Sequence, residues 1–183
     1  MQYSLTDLLL FFIIYGFGGF LLESLFKTII NKDLTISGGF LTNYFCPLYG
    51  LCAIVIVQIF TICEISLEGR FTALLAATII SMAAVTFLEY IVGFTLDKVF
   101  SHKLWDYSVN PLNFHSYICL EFSLMWGIVA IVLSSFMHPI IEIAFMPIPE
   151  VIKYFSVCFI ASILVVNSSY NMRRYYHLNE IRL

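Results

Sequence analysis

Residues 8–29 read LLLFFIIYGFGGFLLESLFKTI, and this stretch decides the class of fold. A helix needs about 20 mostly apolar residues to cross the roughly 30 Å hydrocarbon core of a bilayer. The stretch meets that length, and its charged residues are Glu23 and Lys27. The sequence therefore predicts a membrane-spanning helix from about Leu8 to Ile29.

Four further segments have the same length and apolar character. They lie at about Cys46–Cys63, Phe71–Phe94, Ile118–Phe136 and Tyr154–Met172. Pro139, Pro147 and Pro149 leave residues 140–148 too short to span, because proline ends or kinks a helix, so we expect an interfacial or re-entrant connector there. We predict an all-α polytopic membrane helix bundle with about five transmembrane helices, forming a single transmembrane domain over residues 1–183.

The composition agrees with this class. Hydrophobic residues make up 61% of the 183 residues and charged residues 11%, and the mean hydropathy is +0.93. A soluble domain carries roughly 25% charged residues, so this chain lacks the charge to cover a water-facing surface. The net charge is −3, and the nine basic residues form no cluster suited to a nucleic acid. These features exclude nucleic-acid binding, and the expected partner is the lipid bilayer.

The basic residues also predict an orientation, because lysine and arginine are enriched in cytoplasmic loops. With five spans, Arg70 and Lys153 fall on the side of the N-terminus. Seven basic residues fall on the other side: Lys27, Lys32, Lys98, Lys103, Arg173, Arg174 and Arg182. We therefore expect a multi-pass protein of the cell membrane with its N-terminus outside and its C-terminus in the cytoplasm.

In this orientation, three carboxylates within the spans lie at a similar depth in the membrane. Glu23 and Glu89 lie toward the cytoplasmic ends of helices one and three, and Glu121 lies early in the returning fourth helix, at a similar depth. Ionisable residues at membrane depth usually face the protein or a wet cavity, because exposing them to lipid is costly. The cluster could bind a hard cation, relay protons or hold an ammonium group. Alternatively, the acids reach the interface or pair with lysine, as Glu23 could with Lys27.

Two connections on the predicted cytoplasmic side are rich in turn-forming residues. The first contains Gly38–Leu41 and leads to Cys46, and the second contains Trp105, Asp106 and Asn113. We expect these connections to cap the acidic cluster as a lid or gate, the alternative being two ordinary tight connections with interfacial aromatic residues. The candidate binding residues are therefore Glu23, Glu89, Glu121, Asp106, Asn113, Trp105 and Cys46.

These residues belong to an ordered series of short motifs. The series consists of Glu23, Gly39–Leu41, Cys46–Gly50, Leu88–Tyr90, Trp105–Ser108, Ile118–Leu120, Trp126–Gly127 and His138–Pro139. In order and spacing it resembles a bacterial membrane family described as ABC-transporter type IV, or CmpB-like permeases, over about residues 10–140. Three departures are Gly38, where the family pattern has arginine, Asn43–Tyr44, where it has Gly-Pro, and Ser116, where it has glycine.

The resemblance implies a transport-associated, permease-like protein. An ABC-type permease would need a separate ATPase subunit, because this chain has no GxxxxGK[ST] motif and too little soluble sequence for a nucleotide domain. A membrane-embedded enzyme and a structural or lipid-interacting subunit stay open as alternatives, although the chain has no HExxH motif. We expect no cofactor and leave open a metal and a homo-oligomer.

Overall fold

The computed structural model describes residues 3–33, 42–101 and 103–180. Five helices are long and apolar enough to cross a membrane: Leu5–Ile29, Pro47–Ser66, Arg70–Phe100, Leu120–Phe145 and Glu150–Arg174. The predicted fold class, an all-α polytopic membrane protein with five spans, is confirmed. The motif at Gly38–Leu41 lies outside the described residues.

The elements follow one another in a simple order along the chain. The helices are α1 (Leu5–Asn31), α2 (Pro47–Ser66), α3 (Arg70–Phe100), α4 (Leu120–Val132), α5 (His138–Phe145) and α6 (Glu150–Glu180). The strands β1 (Asn113–Phe114) and β2 (Ile118–Cys119) form a short antiparallel hairpin between α3 and α4. In this hairpin Asn113 pairs with Cys119 and Phe114 with Ile118.

The fourth span differs from the prediction at both ends. Ile118 and Cys119 are in a strand, and helical structure begins at Leu120. At the other end, a π-helical turn, Leu133–Met137, joins α4 to α5, so the span continues to Phe145. Proline is tolerated in the first turn of a helix, and Pro139 occupies that position in α5. The prediction of a connector over residues 140–148 is therefore wrong for residues 140–145, which are helical.

The chain divides into two compact units, residues 51–147 and residues 2–50 together with 148–183. In the first unit α3 packs along α4. The buried residues of α3 recur at every fourth position and are mostly small: Ala73, Ala77, Ser81, Val85, Glu89 and Gly93. Small residues let two membrane helices approach closely, and Glu89 lies on this protein-facing stripe. The prediction of one domain stays a prediction.

In the second unit α1 packs against α6. Ser4 caps α1 through a reciprocal pair of hydrogen bonds with Asp7, which satisfies backbone N–H groups at the helix start. Asp7 also pairs with Lys153 of α6 at 2.5 Å, and both side chains are buried. The segment before α2 lies against α1, where the Cys46 N–H donates to the Gly16 carbonyl at 3.0 Å.

The glycines of α1 predict a matched pair of substitution effects. A Cβ atom added at Gly19 would overlap the Tyr49 Cβ, which cannot move away without its backbone, whereas one added at Gly18 meets nothing within 4 Å. We expect Gly19→Ala to lower the free energy of unfolding by about 1–3 kcal/mol. Gly18→Ala should raise it by up to about 1 kcal/mol, because alanine favours the helix. Thermal unfolding in detergent measures both, and equal midpoints for the two variants would contradict the packing.

Candidate functional site

Glu89 is a carboxylate held inside the first unit by side chains from two other elements. Its Oε1 accepts a hydrogen bond from the Tyr107 hydroxyl at 3.0 Å, and its Oε2 accepts one from the Trp126 indole N–H at 3.1 Å. Tyr107 comes from the α3–α4 connection, and Trp126 comes from α4. The residue is 5% exposed. We take these three residues, Glu89, Tyr107 and Trp126, as the Glu89 site.

Glu89 lies inside α3, one of the five helices that are long and apolar enough to cross a membrane. Phe100, the last residue of the helix, follows Glu89 by eleven positions, which is roughly 16 Å of α-helix. Within the described part of the chain, no lysine, arginine or histidine forms an ion pair with Glu89. Both donors to its carboxylate are neutral, so its charge is solvated by hydrogen bonds alone.

Two further residues of the α3–α4 connection, Tyr117 and His115, also contact side chains of α3. The Tyr117 hydroxyl donates to Asp97 at 2.5 Å, and this hydrogen bond raises the pKa of Tyr117 to about 12. The Trp105 indole N–H donates to the Tyr117 carbonyl at 2.8 Å, and the Tyr90 hydroxyl lies 3.0 Å from His115 Nδ1. The connection therefore folds back along the last turns of α3.

The hairpin turn at the end of this connection is strained. His115 and Ser116 both have positive φ angles, 52° and 65°, and the Tyr117 N–H closes the turn on the Phe114 carbonyl at 3.2 Å. Two successive positive φ angles are typical of a type I′ turn, which favours asparagine and glycine. Ser116 has a Cβ atom, so at this φ angle it bears strain that a glycine would avoid.

This strain predicts a stabilising substitution. We expect Ser116→Gly to raise the free energy of unfolding by about 1 kcal/mol, because glycine adopts positive φ without a Cβ clash. The matched control is Ser123→Gly in α4, which should lower it by a similar amount. Thermal unfolding in detergent compares the two, and a destabilised Ser116→Gly protein would contradict the strain.

Three other predicted binding residues stabilise the connection itself. Asp106 is exposed, accepts from the Ser108 N–H at 2.9 Å and pairs with Lys103 at 3.2 Å. The hydrogen bond from Ser108, followed by Lys103, lowers the pKa of Asp106 below its ordinary value. The Asn113 amide donates to the Asn110 carbonyl at 2.8 Å, and exposed Glu121 accepts from Asn110 at 3.4 Å. In the described part of the first unit, Glu89 is not among the hydrogen-bond or ion-pair partners of these three residues.

Glu23 and Cys46 belong to the second unit. Glu23 pairs with Lys27 at 2.7 Å, which is the alternative that the sequence left open for it. Burial raises the pKa of the Cys46 thiol above its ordinary value. The prediction that Glu23 and Glu89 belong to one acidic cluster concerns residues of two separate units and stays a prediction. No three His, Cys, Asp or Glu residues in the described ranges are placed to hold a metal ion.

The five membrane-length helices of the described residues define the class of this chain, a polytopic helical membrane protein. One of these helices carries the hydrogen-bonded carboxylate of Glu89. The family of the chain follows from a comparison with family models, in which the one described as "Putative ABC-transporter type IV" matches residues 10–172. The chain belongs to this family, and the predicted resemblance is confirmed. The match extends beyond residue 140 and includes most of the fifth span. Neither the curated proteins nor the solved structures contain a match.

Proposed function

We propose that this chain is the membrane-spanning, permease-like part of a transport system, and that Glu89 is its cation-binding group. The observation that carries the proposal is a carboxylate at membrane depth with two neutral donors and no cationic partner in the described part of the chain. An ionisable residue so placed costs at least about 2.5 kcal/mol, which makes a functional role the first expectation.

The chemistry of the Glu89 site favours one kind of cation. Divalent Ca²⁺ needs 6–8 oxygen ligands, whereas an indole N–H is a donor and supplies none. The Glu89 site offers one carboxylate, one tyrosine hydroxyl and the indole of Trp126. This set suits a monovalent group that carries its own donors, such as the ammonium group of a cargo molecule.

A ligand-dependent stability measurement tests this proposal. Purified protein in liposomes is titrated with methylammonium chloride, with sodium chloride at equal ionic strength as the reference. A ligand that binds the folded state raises the unfolding temperature as its concentration rises. We expect this rise in the wild type and in the control variant Glu121→Gln, and its loss in Glu89→Gln. An equal response in Glu89→Gln would place the binding elsewhere, and no response in the wild type would refute the ammonium site.

We also propose a separate ATPase subunit, because the family description is that of an ABC transporter. The connection between α3 and α4 is the candidate contact through its exposed polar side chains, including Lys103, Asp106 and Ser108. Purification of the tagged chain from native membranes should yield a second protein with a GxxxxGK[ST] motif. Purification without such a protein would instead favour a carrier that works alone. Among the described residues, no specific observation favours the alternatives of an enzyme or a homo-oligomer.

The orientation proposal keeps the N-terminus outside and the C-terminus in the cytoplasm. It is supported by seven basic residues on one side of the five spans against two on the other. Reporter fusions after Ile62, Ser101 and Leu183 measure it. We expect an external signal at residue 62 and cytoplasmic signals at residues 101 and 183. A cytoplasmic signal at 62, or an external one at 101 or 183, would contradict the proposal.

A further inference from the structure

The tip of the α3–α4 connection carries large apolar side chains that the first unit leaves uncovered. Val109 is 91% exposed, Leu112 is 76% exposed and Phe114 is 55% exposed. Pro111, which lies between Val109 and Leu112, is exposed as well. A contiguous exposed apolar patch usually marks a contact with a partner or with a membrane.

The course of the connection places this tip at the edge of the bilayer. Tyr107 reaches Glu89, Tyr117 reaches Asp97, and Trp105 lies beside Gly93, so the connection runs alongside the last turns of α3 and not beyond its end. The 31 residues of α3 span roughly 46 Å, which is longer than the hydrocarbon core of about 30 Å. The end of α3 and the connection beside it therefore reach the headgroup region.

Several backbone N–H groups of the connection donate to acceptors within the connection itself. The Tyr107 N–H donates to the Ser116 carbonyl, the Ser108 N–H to Asp106, and the Asn110 N–H to the Tyr107 carbonyl. Pro111 has no N–H to satisfy. A segment outside regular helix can enter a region of low water content only when its backbone groups have such partners.

The neighbouring surface is already apolar and continuous with the spans. Val99, Phe94 and Leu120 are all exposed on α3 and α4 at the base of the connection. Lys98 lies in the last turn of α3, and lysine at this level is attracted to anionic headgroups. From these observations we infer that Val109, Leu112 and Phe114 insert into the lipid leaflet and anchor the connection at the boundary between headgroups and acyl chains.

Photocrosslinking in a defined membrane tests this inference. The full chain is made with the photoreactive residue p-benzoylphenylalanine in place of Leu112 and is reconstituted in liposomes of phosphatidylethanolamine and phosphatidylglycerol. Ile143, 76% exposed in the fourth span, is the lipid-facing reference position, and exposed Glu68 between α2 and α3 is the polar one. Mass spectrometry of the irradiated protein identifies the adducts.

We expect phospholipid adducts at position 112 in a yield similar to that at 143 and about tenfold above that at 68, because the side chain lies at the acyl boundary. A crosslinked dimer at position 112 would instead assign the patch to a second copy of the chain and overturn the inference. A yield as low as that at position 68 would place the tip in water and also overturn it. If the variant at 112 is not recovered from membranes, the same experiment at Val109 applies the same criteria.

Discussion

Replacement of Lys153 by methionine is expected to lower the free energy of unfolding by about 3–5 kcal/mol. Lys153 is 3% exposed and pairs with Asp7 at 2.5 Å, and the Asp7 side chain is 6% exposed. Methionine fills the space of the lysine chain but leaves the Asp7 carboxylate buried without its cation. For a chain of this size the midpoint of thermal unfolding should fall by on the order of 10 °C.

Two variants separate this ion pair from a general effect of substitution. Glu150 also contacts Lys153, at 2.6 Å, but it is 61% exposed, so Glu150→Gln should cost at most about 1 kcal/mol. The double variant Asp7→Asn with Lys153→Met should recover part of the loss, because asparagine keeps the capping role without a charge. Equal midpoints for Lys153→Met and Glu150→Gln would show that the buried pair does not hold α1 to α6.

The five spans were predictable because the bilayer imposes a single length and composition on every crossing helix. Charge-poor runs such as residues 8–29 give that signal without any knowledge of tertiary contacts. The boundaries were less predictable, as at residues 138–145, where Pro139 suggested a break. A proline in the first turn of α5 and the π-helical turn before it keep the fourth span helical. Sequence spacing does not reveal such a local accommodation.

The centre of the candidate site was predicted in part. Glu89 follows from its place in an apolar span, since a carboxylate there is expected to face protein. Its partners Tyr107 and Trp126 lie within the Trp105–Ser108 and Trp126–Gly127 motifs of the sequence analysis, but neither was chosen as a site residue. Their role depends on how far the connection folds back along α3, which is a tertiary property. The same fold keeps Asp106 at the surface.

Replacement of Glu89 by alanine should lower the free energy of unfolding by about 3 kcal/mol, since two donors lose their buried acceptor. The hydrogen bonds from Tyr107 and Trp126 join the connection and α4 to α3. Glu89→Gln keeps the volume and one acceptor oxygen, so we expect a loss of about half that size. The matched control is Glu121→Ala, whose exposed carboxylate should contribute within about 0.5 kcal/mol.

Whether Glu89→Ala lowers or raises the free energy of unfolding shows which of two contributions of the Glu89 carboxylate is larger, its hydrogen bonds or the cost of its charge. A charge at membrane depth costs free energy, and its removal would stabilise the protein if that cost were larger than the gain from the two hydrogen bonds. We expect the gain from the two hydrogen bonds to be larger than the cost of the charge. Tyr107→Phe and Glu89→Gln should then each make residues 103–119 more sensitive to proteolysis in liposomes. A double-mutant cycle of these two substitutions should give a coupling energy of about 1 kcal/mol. A Glu89→Ala protein that is as stable as the wild type and is proteolysed at the same rate would contradict this expectation. The hydrogen bond between Asp97 and Tyr117 would then hold the connection to α3, and Glu89 would serve a ligand alone.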